Sequence, residues 1–360
     1  MNILILNLRD INNPKSGGAE VFTHEVAKRL VKKGHSVTII CSKFKKCTEQ
    51  DLIDNVRIIR IGNSFTVFYI FKLLNKKFLK NDFDIIIDEY THRPFLSSNY
   101  LKIPVVYLIH ELAREKYFYE LPPLVSHVFF HLLEPRWLKK IGDNPVISVS
   151  ESTKKDLSDF GVNNVYIVDE GLDFEPLDKL EIKNPTPTVL YVGLLKRTNL
   201  VMDVILAARK LTNIYPEIQF WIVGRGPLLS RLKRMANETN IHFFGFVTNK
   251  VKLDLMANAH VTVFPAVREG WGLVVTESNA MGTPVVGYDV PGLRDSIIDK
   301  TTGLLTDCNP DSLAVGVSRL IEDPDFRLML SNNALMFSKK FSWDNTANQI
   351  EKILIGELYK

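Results

Sequence analysis

The chain has 360 residues, of which 46% are hydrophobic and 24% charged, enough for two domains with sizeable cores and unlike a disordered, collagenous or disulfide-built protein. Cys41, Cys47 and Cys308 cannot all pair with one another and show no Cys-x2-Cys spacing, which argues against a secreted disulfide framework or structural zinc and for a reducing compartment. The net charge of +4 is too small to point to nucleic acid, but residues 1–140 carry 22 Lys and Arg against 14 Asp and Glu and the remainder 23 against 27, so the basic first part fits either an anionic surface or substrate, or an ordinary solvated face.

The opening MNILILNLRD has no basic start and its apolar run is broken by Asn7; neither a signal segment nor a membrane span is expected there, and no run of about 18 apolar residues occurs elsewhere. Strands are expected at Ile3–Leu8, Ser36–Cys41, Val56–Arg60, Asp84–Asp88, Pro104–Ile109 and Val146–Val149. Helical patterns lie between them, such as Ala19–Lys33, where Phe22, Val26, Leu30 and Val31 form the apolar face. Strands without clean alternation, separated by helices, indicate a parallel sheet covered on both faces. Residues 173–187, DFEPLDKLEIKNPTP, carry three prolines and read as a linker. The alternation then restarts: strands at Thr188–Val192, Ile218–Val223, Ile241–Phe244, His260–Phe264 and Pro284–Gly287, with helices at Val201–Leu211, Leu228–Ala236 and Val274–Met281. The end is helical from about Asp311, with a last helix near Ser342–Leu358.

Two doubly wound α/β domains result, 1–172 and 188–341, the last helix packing back on the first. Ligands in such sheets sit at the carboxyl ends of strands, where loops run into helix N-termini; two such edges facing each other would make a cleft. Three loops are candidates. Asn12–Glu20 leaves the first strand with the pair Gly17-Gly18, which either lets a substrate approach the backbone or forms a plain tight turn; it is neither a dinucleotide fingerprint nor a P-loop. His110 ends an apolar strand, as a site residue or a structural histidine. The third loop, Phe264 to Leu273, carries Glu269-Gly270-Trp271-Gly272 and then starts a helix. Backbone N–H groups at Leu273 and Val274 suit a phosphate there. Glu269 and Glu277, eight residues apart, suit the paired hydroxyls of a sugar and a ribose.

On these residues the chain resembles the retaining glycosyltransferases of family 4, with the GT-B fold of two facing Rossmann-like domains and a cleft between them. Gly17-Gly18-Ala19-Glu20 resembles the family's first glycine loop, Glu170-Gly171-Leu172-Asp173 the segment before its linker, Val223-Gly224-Arg225-Gly226-Pro227 its Val-Gly-x-Gly-Pro turn, and Phe244-Gly245-Phe246-Val247 its base-side loop. Glu269 to Glu277 matches Glu-x7-Glu, followed by Ala280, Gly282, Pro284 and Val285; Phe341-Ser342-Trp343 resembles the start of the final helix. The resemblance implies transfer of a hexose-type sugar from a nucleotide-sugar donor, bound as substrate and not as cofactor. Glu269 and His110 would lie at the donor sugar and Glu277 at the ribose. Leu273 and Val274 would meet the diphosphate, with Gly17, Gly18, Gly224, Gly270 and Gly272 admitting the donor and Phe246 and Val247 bordering the base. Retention by front-face attack needs no Asp-x-Asp metal motif, and no metal is expected.

One departure matters. Where the family has Gly-Arg-x4-Lys-Gly, this chain has Gly193-Leu194-Leu195-Lys196-Arg197-Thr198-Asn199-Leu200. Either Lys196 and Arg197 supply the diphosphate's cations from another register, or the clamp is lost and the protein is a non-catalytic nucleotide-sugar or partner-binding relative. An epimerase or phosphorylase would need other acid–base groups or a cofactor lysine. On the acceptor side, Phe71–Lys80 mixes Phe71, Leu74 and Phe78 with Lys72, Lys76, Lys77 and Lys80, and the aromatic stretch Tyr117–Leu133 leads to Arg136, Lys139 and Lys140. Such segments either pack as helices with solvated lysines or dock on an anionic membrane. In the second case the enzyme sits on the cytoplasmic leaflet and its acceptor is lipid-linked or at the bilayer surface; in the first it is cytoplasmic.

Overall fold

A computed structural model describes residues 1–78, 83–91, 93–237 and 239–359. The chain divides into two compact units: residues 1–114, 127–173 and 341–360 form unit 1, and residues 115–126 and 174–340 form unit 2.

The sheet of unit 1 comprises β1 (Asn2–Leu6), β2 (Ser36–Ser42), β3 (Gln50–Ile53), β4 (Val56–Ile61), β5 (Ile85–Tyr90), β6 (Val105–Ile109), β7 (Val146–Ser148) and β8 (Val165–Ile167), in the order 3-4-2-1-5-6-7-8. All neighbours are parallel except the β3–β4 pair. β1, β5 and β6 are buried almost throughout, as strands covered on both faces must be. Helix Gly18–Lys32 lays Phe22, Val26 and Leu30 on the sheet, their 3.6-residue spacing giving one apolar stripe.

The last helix, Trp343–Leu358, belongs to unit 1 and packs beside Gly18–Lys32. Arg29 pairs with Asp344 (2.5 Å) and His35 with Glu351 (2.8 Å), and Lys33 also reaches Glu351. Trp343 is buried against Gly171, where a Cβ would come within 2.3 Å of the indole ring. The two motifs Glu170-Gly171 and Ser342-Trp343 are thus complementary parts of one packing contact.

The sheet of unit 2 is wholly parallel: β9 (Thr188–Val192), β10 (Gln219–Val223), β11 (Ile241–Gly245), β12 (Val261–Phe264), β13 (Val285–Tyr288) and β14 (Gly303–Thr306), in the order 11-10-9-12-13-14. The winding reverses between β9 and β12, and in unit 1 between β1 and β5, so ligand crevices are expected at the carboxyl ends there.

Two boundaries differ from the sequence reading. Residues 115–126 join unit 2 because Glu115 pairs with Arg268 (2.9 Å) and Glu120 lies 3.9 Å from Lys196. Residues 174–187 are bound to unit 2 and are not a loose tether. Leu177 N–H donates to Ala280, Asn184 N–H to Asn258, and half-buried Lys183 Nζ to the Ala257 and Gly282 carbonyls and Thr283 Oγ1.

Candidate active site

In unit 2 the loops leaving β9, β10, β12 and β13 are joined through their backbones. Val267 N–H donates to the Thr198 carbonyl (3.0 Å) across the winding reversal, and Leu195 N–H donates to Arg225 (2.9 Å). Glu269 N–H donates to Pro291 (3.1 Å). Close approach explains two glycines: a Cβ on Gly224 would meet the Gly193 carbonyl oxygen at 1.9 Å, and one on Gly292 the Glu269 carbonyl oxygen at 2.1 Å. Gly224 therefore serves loop packing, whatever else it does. The Glu269 loop and the Lys196-Arg197 turn are rigidly connected neighbours at the carboxyl edge.

After Glu269 the chain passes Gly270 and Trp271, whose Nε1–H donates to Thr276 Oγ1 (2.8 Å). Gly272 caps helix Leu273–Ala280 with φ +90°, a conformation that favours glycine. Leu273 and Val274 open that helix, partly buried, at its positive end. Glu277 lies one turn further in, ion-paired with Lys252 at 2.6 Å. Lys252 sits on helix Asn249–Asn258, which Thr248 caps; the sequence reading passed over it. Phe246 is 75% exposed beyond β11 with the Arg225 guanidinium 4.9 Å over its ring, and Val247 follows it, half-buried.

The β9 exit differs from the expected clamp. Asn199 is buried beside Tyr191, whereas Leu194 and Arg197 are exposed and Lys196 is half-buried. Arg197–Asn199 form a single 3-10 turn.

In unit 1, Gly17 precedes helix Gly18–Lys32 and its N–H donates to Glu20 Oε2 (2.7 Å); Arg9 holds the other oxygen at 2.6 Å. Gly17 is extended, and a Cβ there would meet only Glu20 Oε2, at 3.8 Å. Exposed Gly18 begins the helix. His110 follows β6 and is buried, with Phe22 edge-on at 4.8 Å. Its Nε2 faces Glu89 Oε1 at 3.6 Å, too long for a hydrogen bond, while Thr23 Oγ1 donates to Glu89 Oε2 at 2.6 Å. Burial pulls the imidazole pKa down, but Glu89, Glu170 and Glu20 outweigh it and the net direction is upward. Burial raises Glu89, and pushes Glu170 up to about 7 against the pull of His110. Glu89 escaped the sequence reading; an ionisable residue inside the buried run Ile85–Tyr90 was its only signal.

Asp-x-Asp spacing does occur, at Asp82-Phe83-Asp84 and Asp323-Pro324-Asp325. Asp82 lies outside the described residues. Asp84 accepts the Asn2 N–H before β5, and Asp323 caps helix Pro324–Ser338 by accepting the Phe326 N–H.

This fold and these loops define a glycosyltransferase of the GT-B class. Residues 175–336 match the family model of glycosyl transferases group 1 and residues 16–175 that of glycosyltransferase family 4, and the chain belongs to family 4. Among relatives, an uncharacterized glycosyltransferase of Methanocaldococcus jannaschii is 26% identical, over 92% of this chain and 93% of its own. A phosphatidyl-myo-inositol mannosyltransferase of Mycolicibacterium smegmatis is 26% identical, over 78% and 73%. Among solved structures, sucrose-phosphate synthase from Thermosynechococcus elongatus has a TM-score of 0.82 at 19% identity, covering 99% and 98% of the two chains. Anabaena HepE in complex with UDP-glucose has a TM-score of 0.75 at 19% identity, covering 99% and 100%.

Proposed function

We propose that this protein is a retaining, metal-independent glycosyltransferase that moves a sugar from a nucleotide-sugar donor to an acceptor at a membrane surface. The observation that carries the donor reading is the connected loop system at the β9/β12 reversal. It places Glu269 ahead of a glycine-capped helix N-terminus and ion-paired Glu277 one turn inside that helix. The helix N-terminus suits a diphosphate, Glu277 suits ribose hydroxyls, and Phe246 under Arg225 suits a base edge. UDP-glucose bound in the similarly folded HepE supports the same assignment. Lys196 or Arg197, on the turn tied to the Glu269 loop, supplies positive charge as the leaving diphosphate gains it. In front-face attack that diphosphate takes the acceptor's proton.

The acceptor reading draws on unit 1. Helix Val67–Phe78 buries Val67, Phe68 and Phe71 but exposes Tyr69 and Leu73, the latter at 80%, with Phe65 exposed just before it. Phe71 is thus a core residue; Lys76, Lys77, Phe78 and Lys80 have side chains outside the described residues. Exposed Arg136, Lys139 and Lys140 add basic character. Exposed apolar side chains with basic ones suit an anionic bilayer, and the inositol-lipid acceptor named for the Mycolicibacterium relative supports a lipid-linked substrate.

The test is a thermal-shift screen over nucleotide sugars, followed by transfer with the best donor and NMR of the product anomer. A donor at 100 times its Kd should add about 2.7 kcal/mol of stability. Donor and product should share one anomeric configuration, with turnover unchanged by EDTA. Inversion would overturn the mechanism, EDTA-abolished turnover restored by Mg²⁺ would overturn metal independence, and tight donor binding without transfer or hydrolysis would favour the non-catalytic alternative.

A further inference from the structure

His110 lies at the carboxyl edge of the unit 1 sheet, just past β6, and three elements contribute carboxylates that act on it. Glu89 comes from the end of β5, Glu170 from the segment after β8, and Glu20 from the first turn of helix Gly18–Lys32. Glu20 is compensated by Arg9 and by the Gly17 N–H. Among the described residues, Glu89 and Glu170 have no ion pair with a lysine or arginine. They are 1% and 4% exposed. Glu89 Oε1, Glu170 Oε2 and His110 Nε2 are each buried without a hydrogen-bond partner among the described residues. Leaving three polar atoms unmatched is costly in an apolar setting, so the cluster calls for a proton or a small polar group among them.

The geometry fixes which nitrogen does what. Nε2 is shut away from solvent and faces Glu89 at 3.6 Å, while Thr23 holds the other Glu89 oxygen. The histidine side chain keeps 11% of its exposure, none of it at Nε2. Phe22 stands edge-on against the ring, and behind Phe22 stands Trp343 at 5.6 Å, so the imidazole has little freedom to flip. A ring bound to Glu89 through Nε2–H presents Nδ1 outward: as an acceptor if the ring is neutral, as a donor if it is a cation.

We propose that Glu89 and Glu170 are positioning residues which keep His110 doubly protonated, with Nε2–H turned to Glu89 and Nδ1–H presented to an oxygen of the sugar donor. This rests on the proposed transfer reaction and on the place at the donor sugar that the family resemblance implies for His110. A neutral imidazole would offer that oxygen only a lone pair, which a hydroxyl can meet by donating but a ring or glycosidic oxygen cannot. The cation offers a charge-assisted hydrogen bond, about twice as strong as a neutral one. Among the described residues, the charged groups that act on the ring are Glu89, Glu170 and Glu20, the last paired with Arg9, and Phe22 packs against the ring. Burial alone would neutralise the ring, and the carboxylates reverse that preference.

The experiment follows the His110 Cε1 proton by NMR through a pH titration of the full chain, assigned by its absence in His110→Gln, alongside the pH profile of kcat/KM. Glu89→Gln and Glu170→Gln should each lower the His110 midpoint, the former by about one pH unit or more, as loss of a carboxylate at this range does. The basic limb of kcat/KM should move to lower pH with it. Glu89→Asp keeps the charge and should hold the midpoint near that of the parent, which also serves if the glutamine variant fails to fold. An unmoved midpoint in the folded glutamine variants would overturn the proposal, as would a midpoint that falls while the basic limb stays. The titration needs no turnover. A preparation inactive with every donor would therefore count against the transfer reading, and the NMR would still decide the pairing.

Discussion

Lys252 and Glu277 are held 2.6 Å apart, so the carboxylate proposed above for the ribose is fixed in place before a ligand arrives. Glu277→Ala should weaken nucleotide binding by about 1.5–3 kcal/mol, as loss of a charged acceptor does, measured by calorimetry. Glu269→Ala should instead lower kcat with little change in nucleotide affinity; equal affinity losses with unchanged turnover would remove both assignments. The cations on the β9 exit give a third expectation. Lys196→Ala with Arg197→Ala should cut turnover at least about 100-fold, roughly 2.7 kcal/mol. Leu194→Arg in the parent should add little, and an unaffected double alanine variant would rule out Lys196 and Arg197. The structure makes the complementary Asn199→Lys change uninformative, because Asn199 is buried beside Tyr191 and a lysine there would carry its own desolvation cost. Glu269 and Glu277 were legible in the sequence because their eight-residue spacing brackets a glycine turn. Lys252 was not, since its pairing depends on how two helices pack. Glu89 sits where a parallel strand should be wholly apolar, a signal overlooked because the run around it reads so clearly as core.

At the scale of elements, the loops are shaped by glycines of different kinds. Gly224 has φ +144° and backbone only 1.9 Å from a would-be Cβ, whereas Gly17 is extended with open surroundings. Gly224→Ala should therefore destabilise unit 2 by about 1–3 kcal/mol or more, read from urea denaturation, whereas Gly17→Ala should leave stability nearly unchanged. Reversal of that ranking would mean that Gly17, and not Gly224, sits in the tighter contact. The long buried strands and the helices around residues 18–32, 201–214, 273–280 and 343–358 were legible from period and glycine punctuation alone. β3, β8 and β14 were not. Val165–Ile167 is three residues long, Gln50–Ile53 alternates on an edge, and Gly303–Thr306 follows a turn with no apolar run of its own. Helix Asn249–Asn258 was missed because it lacks a clean apolar stripe, burying little beyond Met256 and Ala257. The segment 115–126 reads as part of the first domain in sequence; its allegiance is decided by side-chain pairs that only the folded chain assembles.

For the whole molecule, the excess of basic residues in the first 140 positions acquires a location in Arg136, Lys139 and Lys140 of unit 1, while Leu73 and Tyr69 supply apolar side chains. The full chain should sediment with vesicles rich in anionic lipid and less with neutral ones, and binding should fall as salt is raised. Tyr69→Glu with Leu73→Glu should release it without altering donor affinity; undiminished binding would move the docking surface elsewhere. The packing of Trp343 into the space left by Gly171 also bears on how the molecule is made. Unit 2 is contiguous apart from one short early piece, whereas unit 1 needs residues 341–360 to complete the wall beside Phe22. On a ribosome adding about 5–20 residues per second, the part synthesised first must wait for the last helix to emerge, and the part synthesised second can mature before it. Until then the notch at Gly171 and the surface of helix Gly18–Lys32 stand open to chaperones, and the first half of the message encodes the later half of the folding.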